Sequence, residues 1–289
     1  MPKKCHVDLY KDTLDLQISV IIPVYNRQST IERAINSVLA QRFPAQEIIV
    51  VDDGSSDATV SLVKQYSDVT CLQQTNQGVS AARNAGIRAA SSEWIALLDS
   101  DDEWLTEKLS EQHKALQQQG NSAEALICHC DEIWIRNGKR VNPMKKHAKT
   151  GGEIYPNCLP LCVISPSAVM IHKQVFETIG LFDTDLPACE DYDMWLRVCS
   201  RLPVLYVDKP LLKKYGGHSD QLSHKYPAMD RFRIRALEKI IRAGSLSPEH
   251  LQITLDQLRT KFRIYQRGAI KHGNIAAAEN MQQQIQDLL

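Results

Sequence analysis

From Ile18 onward, short runs of β-branched residues alternate with segments whose apolar residues recur at helical period. That alternation constrains the chain to strand-helix-strand units around a mostly parallel sheet, an α/β fold. Ile18-Ser19-Val20-Ile21-Ile22 reads as a buried strand stopped at Pro23, and Ser29-Thr30-Ile31-Glu32 as a capping box opening a helix to Leu39. The second unit repeats the plan, with a strand from Glu47 to Val51, an acidic turn capped at Asp57 and a helix from Ala58 to Tyr66. A third strand at Val69 to Gln73, an alanine-rich helix at Val79 to Ala90 and a fourth strand at Glu93 to Leu98 follow.

Past Leu98 the rhythm breaks. A helix is expected at Leu105 to Gln118 with Asp102 capping it, then strand-like pieces at Ala125 to Arg136, a polar basic loop from Asn137 to Gly152 and a helix at Asp191 to Arg201. From Pro227 the chain is helical by period, with Ile234, Leu237, Ile240 and Ile241 on one stripe and Leu251, Leu255 and Leu258 on another. Those stripes suit a core, a membrane surface or a homodimer through the C-terminal helices, and core packing or dimerisation is the expectation. The organisation expected is an N-terminal extension over residues 1–17, a first half over 18–125, a second half of the same domain over 126–226 and a C-terminal helical region over 227–289.

Charge narrows the partners. Lys+Arg and Asp+Glu both number 34, so the formal net charge is zero and no electrostatic footprint marks a nucleic-acid partner. No apolar run approaches the roughly 20 residues of a membrane helix, and the first residues are polar and lack a secretory apolar stretch. A cytoplasmic protein is expected, either free or peripheral at the inner face of the membrane. The eight cysteines read as reduced structural thiols, because the alternation in Leu126-Ile127-Cys128-His129-Cys130 suits a strand facing a core better than a zinc site.

In an open parallel sheet, ligands bind where loops converge at the carboxyl ends of strands. The polar residues there are Tyr25-Asn26, Asp52-Asp53 and Asp99-Ser100-Asp101-Asp102. Several acids at one crevice repel unless a cation sits among them, and Mg²⁺ or Mn²⁺ commonly bridges one or two carboxylates to phosphate oxygens. The rival reading is that acids after strands cap the helices that follow.

Four blocks stand in order: Val20-Ile21-Ile22-Pro23-Val24-Tyr25-Asn26, Glu47 to Asp57, Asn76-Gln77-Gly78-Val79-Ser80-Ala81-Ala82-Arg83-Asn84-Ala85-Gly86, and Leu97-Leu98-Asp99-Ser100-Asp101-Asp102. Together they resemble the family 2 glycosyltransferases, in a bacterial-type, non-processive form. The resemblance covers about Ile18 to Gly217 and implies the Rossmann-like, A-type fold of nucleotide-diphospho-sugar transferases, with the C-terminal helices as an extension. It implies a nucleotide-sugar site at Pro23, Tyr25, Asn26, Asp53, Arg83, Asp99, Ser100 and Asp101. A tyrosine ring offers a base a stacking face, and a carboxylate at Asp53 accepts the imide N–H of uracil or thymine. The Asp-x-Asp motif implies Asp101 as ligand of Mn²⁺ or Mg²⁺, with Asp99 beside it and Arg83 near the diphosphate or ribose.

The resemblance continues in Ala188-Cys189-Glu190-Asp191-Tyr192-Asp193-Met194-Trp195, which implies Asp191 as the general base and Glu190 as its support or an acceptor contact. His218, after Tyr215-Gly216-Gly217, is implied as a further metal ligand on a hinged loop. The function implied is inverting, metal-dependent transfer of a sugar from a nucleotide-diphosphate donor, with UDP favoured, in surface-glycan assembly. The acceptor is a glycan, a lipid-linked saccharide or a protein. The Gln-x-x-Arg-Trp block of processive synthases is missing. A sugar-1-phosphate nucleotidyltransferase is the rival enzyme, but it would carry a Gly-rich phosphate loop where Pro23-Val24-Tyr25-Asn26-Arg27 stands. A non-catalytic relic of the fold is the third reading, against which stand both Asp101 and Asp191. Lys145-Lys146-His147 is expected to be a solvated loop.

Overall fold

The structure, a computed structural model, describes residues 16–119, 125–142, 144–217 and 226–288. Residues 1–15 of the expected N-terminal extension, and His218, lie outside the described residues.

The regular part is built from β1 (Ile18–Val24), α1 (Ile31–Leu39), β2 (Glu47–Asp52), α2 (Thr59–Val63), β3 (Val69–Gln73), α3 (Val79–Ala89) and β4 (Trp94–Leu97). There follow β5 (Glu103–Trp104), α4 (Lys108–Gln118), β6 (Ile127–Arg136), β7 (Lys139–Val141), α5 (Tyr155–Cys158), β8 (Val169–His172), α6 (Lys173–Ile179), α7 (Glu190–Cys199) and β9 (Leu205–Gly216). Three helices end the described chain: α8 (Asp230–Arg242), α9 (Pro248–Lys271) and α10 (Ile275–Ile285). The sheet has nine strands among the described residues, in the order β3-β2-β1-β4-β8-β6-β9-β5, with β7 paired to β6. β1 is parallel to both β2 and β4, whereas β8 enters antiparallel between β4 and β6.

The strands bury both faces. Ile21, Ile49, Val51, Ile95 and Leu97 join a core with α3, α7 and the C-terminal helices. Their neighbours Val20, Ile22, Ile48, Val50 and Ala96 join a second core under α1 and α4. This is why the sequence shows continuous apolar runs there, not alternation. On α3, a methyl group at Gly86 would sit 2.4 Å from Ile21 Cγ2, so only glycine lets that helix lie this close to β1. Ile234, Leu237 and Ile240 of the first C-terminal stripe belong to the first core, with Ile241 packed against it, whereas of the second stripe only Leu258 does.

The local expectations need five corrections. β1 runs through Pro23 to Val24, because residues alternate sides: Ile21 and Val24 carbonyls serve Leu98 and Asp53, so the missing Pro23 N–H faces the β4 side, where that ladder has ended. The helix α1 starts at Ile31 with Thr30 as N-cap and no side-chain cap, its Ile31 N–H taken instead by the Arg27 carbonyl, so the capping box is not formed. The helix α2 ends at Val63, where the Gln65 and Tyr66 N–H groups turn back to Leu62 and Val63. Asp102 does not cap a helix: α4 begins at Lys108, after β5, and the Asp102 carboxylate is buried against other partners. The N-cap of α2 is Ala58, and Asp57 supports the helix start from one residue further out, its Oδ1 accepting the Thr59 N–H at 3.0 Å.

Lys108 at the start of α4 is fully buried, its ammonium donating to Gln112 Oε1 at 2.7 Å and lying 4.1 Å from the Trp104 ring centroid. Burial pushes this lysine down to about 8, against the attraction of the Cys130 and Cys128 sulfurs. A lysine depressed in the folded state costs stability at neutral pH, and that cost fades as pH rises from about 8 to 10.5. Lys108→Met is therefore expected to unfold later than the parent at pH 7, by about 2 kcal/mol, with the difference shrinking towards pH 10. Urea titrations of both proteins from pH 7 to 10 check it, and a constant difference would show that the lysine is not desolvated.

Candidate active site

The strand order reverses direction of growth at β1 and β4, with α1 and α3 on opposite faces, which opens a crevice above their carboxyl ends. A cleft of about 1130 Å³ occupies that position. It is lined by Pro23, Tyr25, Asn26 and Asp53 at the carboxyl ends of β1 and β2, by Arg83 of α3, by Asp99, Ser100 and Asp101 after β4, by Glu190 and Asp191 at the start of α7, and by Lys214 of β9. All ten described site residues read from the sequence thus line one cavity.

In the β1 loop, Tyr25 is 45% exposed and presents an open ring. Asn26 takes a left-handed φ of 50°, and its Oδ1 accepts the Ser56 N–H at 2.8 Å, pinning the β1 loop to the turn after β2. Asp53 is buried: Oδ1 accepts from Gln74 Nε2 at 2.7 Å and the Gln77 N–H at 2.8 Å, and Oδ2 accepts the Gly78 N–H at 2.8 Å. A carboxylate has about four acceptor sites, so one remains on Oδ2. Asp53 therefore also fixes the start of α3, a structural duty that its sequence position does not announce.

Arg83 forks between two acids that are far apart in sequence. Its Nη2 lies 2.7 Å from Asp99 Oδ1 and its Nη1 2.6 Å from Glu190 Oε1, with the guanidinium 3% exposed. Burial opposes the charge, but Asp99 and Glu190 outweigh it and hold the guanidinium firmly protonated. Burial likewise pushes the Glu190 carboxyl up, with Arg83 opposing and Asp191 adding to the rise. The resemblance implies a place near the diphosphate or ribose for Arg83; the geometry gives it a clamp between the Asp-x-Asp turn and the start of α7.

The acidic turn is anchored from behind. Ser167 Oγ donates to Asp102 Oδ2 at 2.6 Å and accepts the Asp99 N–H at 3.0 Å, while Asp102 Oδ1 accepts the Tyr215 N–H at 3.0 Å. Burial raises Asp102 well above the usual carboxylate range, relieved by Lys214 and reinforced by Asp101 and Asp99. Arg33 donates to the Asp101 carbonyl and lies 3.8 Å from the Tyr215 ring centroid. Lys214 donates to Ser165 Oγ at 2.7 Å. Burial pulls its ammonium down, but Glu132, Asp102, Asp99 and Asp191 overcome that and leave it raised. Nothing in the sequence pattern marks Lys214 as a cation facing the acids of the cleft.

The chain enters α7 through Cys189 in the left-handed region at φ 61°, uncommon for a residue with a Cβ. That turn sends Glu190 to Arg83 and leaves Asp191 in the cleft. Asp191 Oδ1 accepts the Tyr192 N–H at 2.7 Å, and Oδ2 accepts the Cys162 thiol at 3.2 Å. Cys162 is a thiol the sequence gives no reason to single out; burial, together with Asp191, pushes it well up, so it stays protonated and can donate. All seven described cysteines are free thiols.

The donor set suits a hard cation shared with substrate. Asp99 Oδ2 carries no hydrogen bond among the described residues, and Asp101 lines the same cleft. Among the described residues no group of three His, Cys, Asp or Glu side chains forms a self-sufficient cage. One or two carboxylates completed by phosphate and water is how Mg²⁺ and Mn²⁺ are commonly held at phosphate sites. No helix among the described residues is long and apolar enough to cross a membrane.

The sequence model described as glycosyl transferase family 2 matches residues 19–180. An uncharacterized glycosyltransferase of Rickettsia prowazekii is 32% identical over 210 residues, covering 72% of this chain and 66% of that protein. The chain thus spans just under two thirds of that relative, and 31% of a second, from Rickettsia bellii. An Escherichia coli protein named UDP-Glc:alpha-D-GlcNAc-diphosphoundecaprenol beta-1,3-glucosyltransferase WfgD is 33% identical over 189 residues, 64% of this chain and 70% of its own. Among solved structures, S. aureus TarS in complex with UDP-GlcNAc superposes with a TM-score of 0.73 at 20% identity, over 91% of this chain and 79% of that one. A Pyrobaculum calidifontis mannosyltransferase in complex with GDP-Man and Mn2+ gives 0.61 at 18% identity, over 92% and 78%. At these identities the two structures speak for the fold.

Proposed function

The chain belongs to glycosyl transferase family 2, and we propose that it moves one sugar from a UDP-sugar to the hydroxyl of a lipid-linked saccharide, with inversion, in surface-glycan assembly. The observation that carries this is the meeting, in one cleft, of the exposed Tyr25 ring and Asp53, the Asp99 and Asp101 carboxylates, and the oriented Asp191 carboxylate. UDP as the nucleotude carrier and a lipid-linked acceptor are supported by what the E. coli relative's name says of that protein.

Tyr25 stacks on the uracil while Asp53 Oδ2 accepts its imide N–H. Asp99 and Asp101 would hold Mn²⁺ or Mg²⁺, which would supply Lewis-acid neutralisation of the charge on the departing UDP. Asp191, aimed by the Tyr192 N–H and the Cys162 thiol, takes the proton of the acceptor hydroxyl as its oxygen bonds to the anomeric carbon. The bond from that carbon to the diphosphate oxygen breaks on the opposite side, and the single displacement inverts the centre. Lys214 adds a fixed positive charge beside these acids.

Calorimetric titration with UDP, with and without Mn²⁺, tests the donor half of this reading. Binding is expected to require the metal and to weaken at least tenfold in Asp101→Ala. UDP binding that is indifferent to both would remove the metal from the mechanism, and preference for GDP would reassign the base.

A further inference from the structure

Beside the cleft lies a second, more open groove of about 630 Å³, bordered by Lys145, Pro156, Asn157, Pro160, Leu161 and Val163. Residues 161–163 link the two, a wall of the groove that touches Asp191 of the cleft. Cys162 turns to Asp191, whereas Leu161 and Val163, one trans peptide away on either side and so about 3.8 Å distant at Cα, line the groove. A molecule whose hydroxyl reaches Asp191 and which continues over this wall therefore enters the groove.

The groove's chemistry selects what continues. Its walls are apolar, from Pro156, Pro160, Leu161 and Val163, and Pro156 and Pro160 are left exposed. Lys145, which borders the groove, is exposed, and its ammonium has no ion-pair or hydrogen-bond partner among the described residues. A polysaccharide would need a row of polar side chains or an aromatic platform, and a polypeptide a free strand edge; the groove offers neither, apart from Asn157. An apolar trough bordered by one cation matches an isoprenoid chain joined to a diphosphate. We propose that this groove is the acceptor subsite, with the saccharide hydroxyl at Asp191, the acceptor's own diphosphate at Lys145 and the first isoprene units on Pro156, Pro160, Leu161 and Val163. The assignment of the saccharide end rests on the transferase reading above. Lys145, a solvated residue by sequence pattern, becomes a substrate contact.

Farnesyl diphosphate is the probe. It is titrated calorimetrically into the whole chain with the donor cleft saturated by UDP and Mn²⁺, and into Lys145→Glu and Leu161→Asp. Binding in the presence of UDP, weakened at least tenfold in Lys145→Glu with UDP affinity within twofold of the parent, is the expected result; Leu161→Asp gives the same loss through the apolar wall. No binding by the parent, displacement by UDP, or equal binding by Lys145→Glu would overturn the groove. Farnesyl diphosphate binding as expected by a protein that ignores every nucleoside diphosphate would support the groove and sink the transferase reading instead, so the two failures are distinct.

Discussion

Asp191→Asn is expected to leave UDP affinity within about twofold while lowering kcat by about 10²–10⁴, the range a positioned general base contributes. The substitution is nearly isosteric. An asparagine Oδ1 still accepts the Tyr192 N–H, so the start of α7 keeps its shape. What disappears is the capacity to take a proton from the attacking hydroxyl. Because the Asp191 carboxylate meets Cys162 and the Tyr192 N–H and has no hydrogen bond to Tyr25, Asp53, Asp99 or Asp101 among the described residues, its loss should fall on turnover and not on donor binding. Initial rates with a UDP-sugar and a lipid-linked acceptor, alongside UDP calorimetry, make the comparison. Near-normal turnover would move the base elsewhere, and absence of turnover in the parent under every donor would favour a binding protein of the same fold.

The parts legible in the sequence were those encoded locally. Buried parallel strands write themselves as apolar runs, and polar residues at their ends stand next to them in the chain, so Tyr25, Asp53, Asp99 and Asp101 could be placed in one crevice before any geometry. Contacts between distant segments leave no such trace. The Arg83–Glu190 pair joins residues separated by 107 positions, and an arginine in a helix ordinarily reads as solvated. Cys162 is one of several thiols, distinguished only by the carboxylate that the fold brings to it. Asp102 looked like a helix cap since capping depends on where the next helix starts, and that start was displaced by the pairing of β5 with β9, a contact made 110 residues downstream. The antiparallel entry of β8 between β4 and β6 is likewise decided by tertiary packing, not by any local period.

Arg83→Met is expected to be the most destabilising single change at the site, by about 3–5 kcal/mol, the usual consequence of removing one partner from a buried ion pair. For a chain of this size that corresponds to a Tm fall on the order of 10 °C. The reason is asymmetric: methionine fills much of the space, but Glu190, 4% exposed, is left charged and unpaired beside Asp191. Glu190 then relieves itself by binding a proton, which fixes the sign of the pH dependence. A carboxyl raised in the folded state costs stability above its unfolded range and not below it, so the deficit relative to the parent should be full at pH 7 and shrink as pH falls towards 4. Glu190→Gln in the Arg83→Met background should restore part of the loss, whereas the two changes would simply add if they were independent. Thermal and urea unfolding of the parent, both single variants and the double variant at pH 7 and pH 4.5 decide it. A loss under about 1 kcal/mol, or a deficit that does not change with pH, would mean that the guanidinium is solvated in solution and free to meet the diphosphate. If the clamp holds, Arg83 ties Asp99 at the end of β4 to Glu190 at the start of α7, so one side chain couples the Asp-x-Asp turn to the segment that carries Asp191.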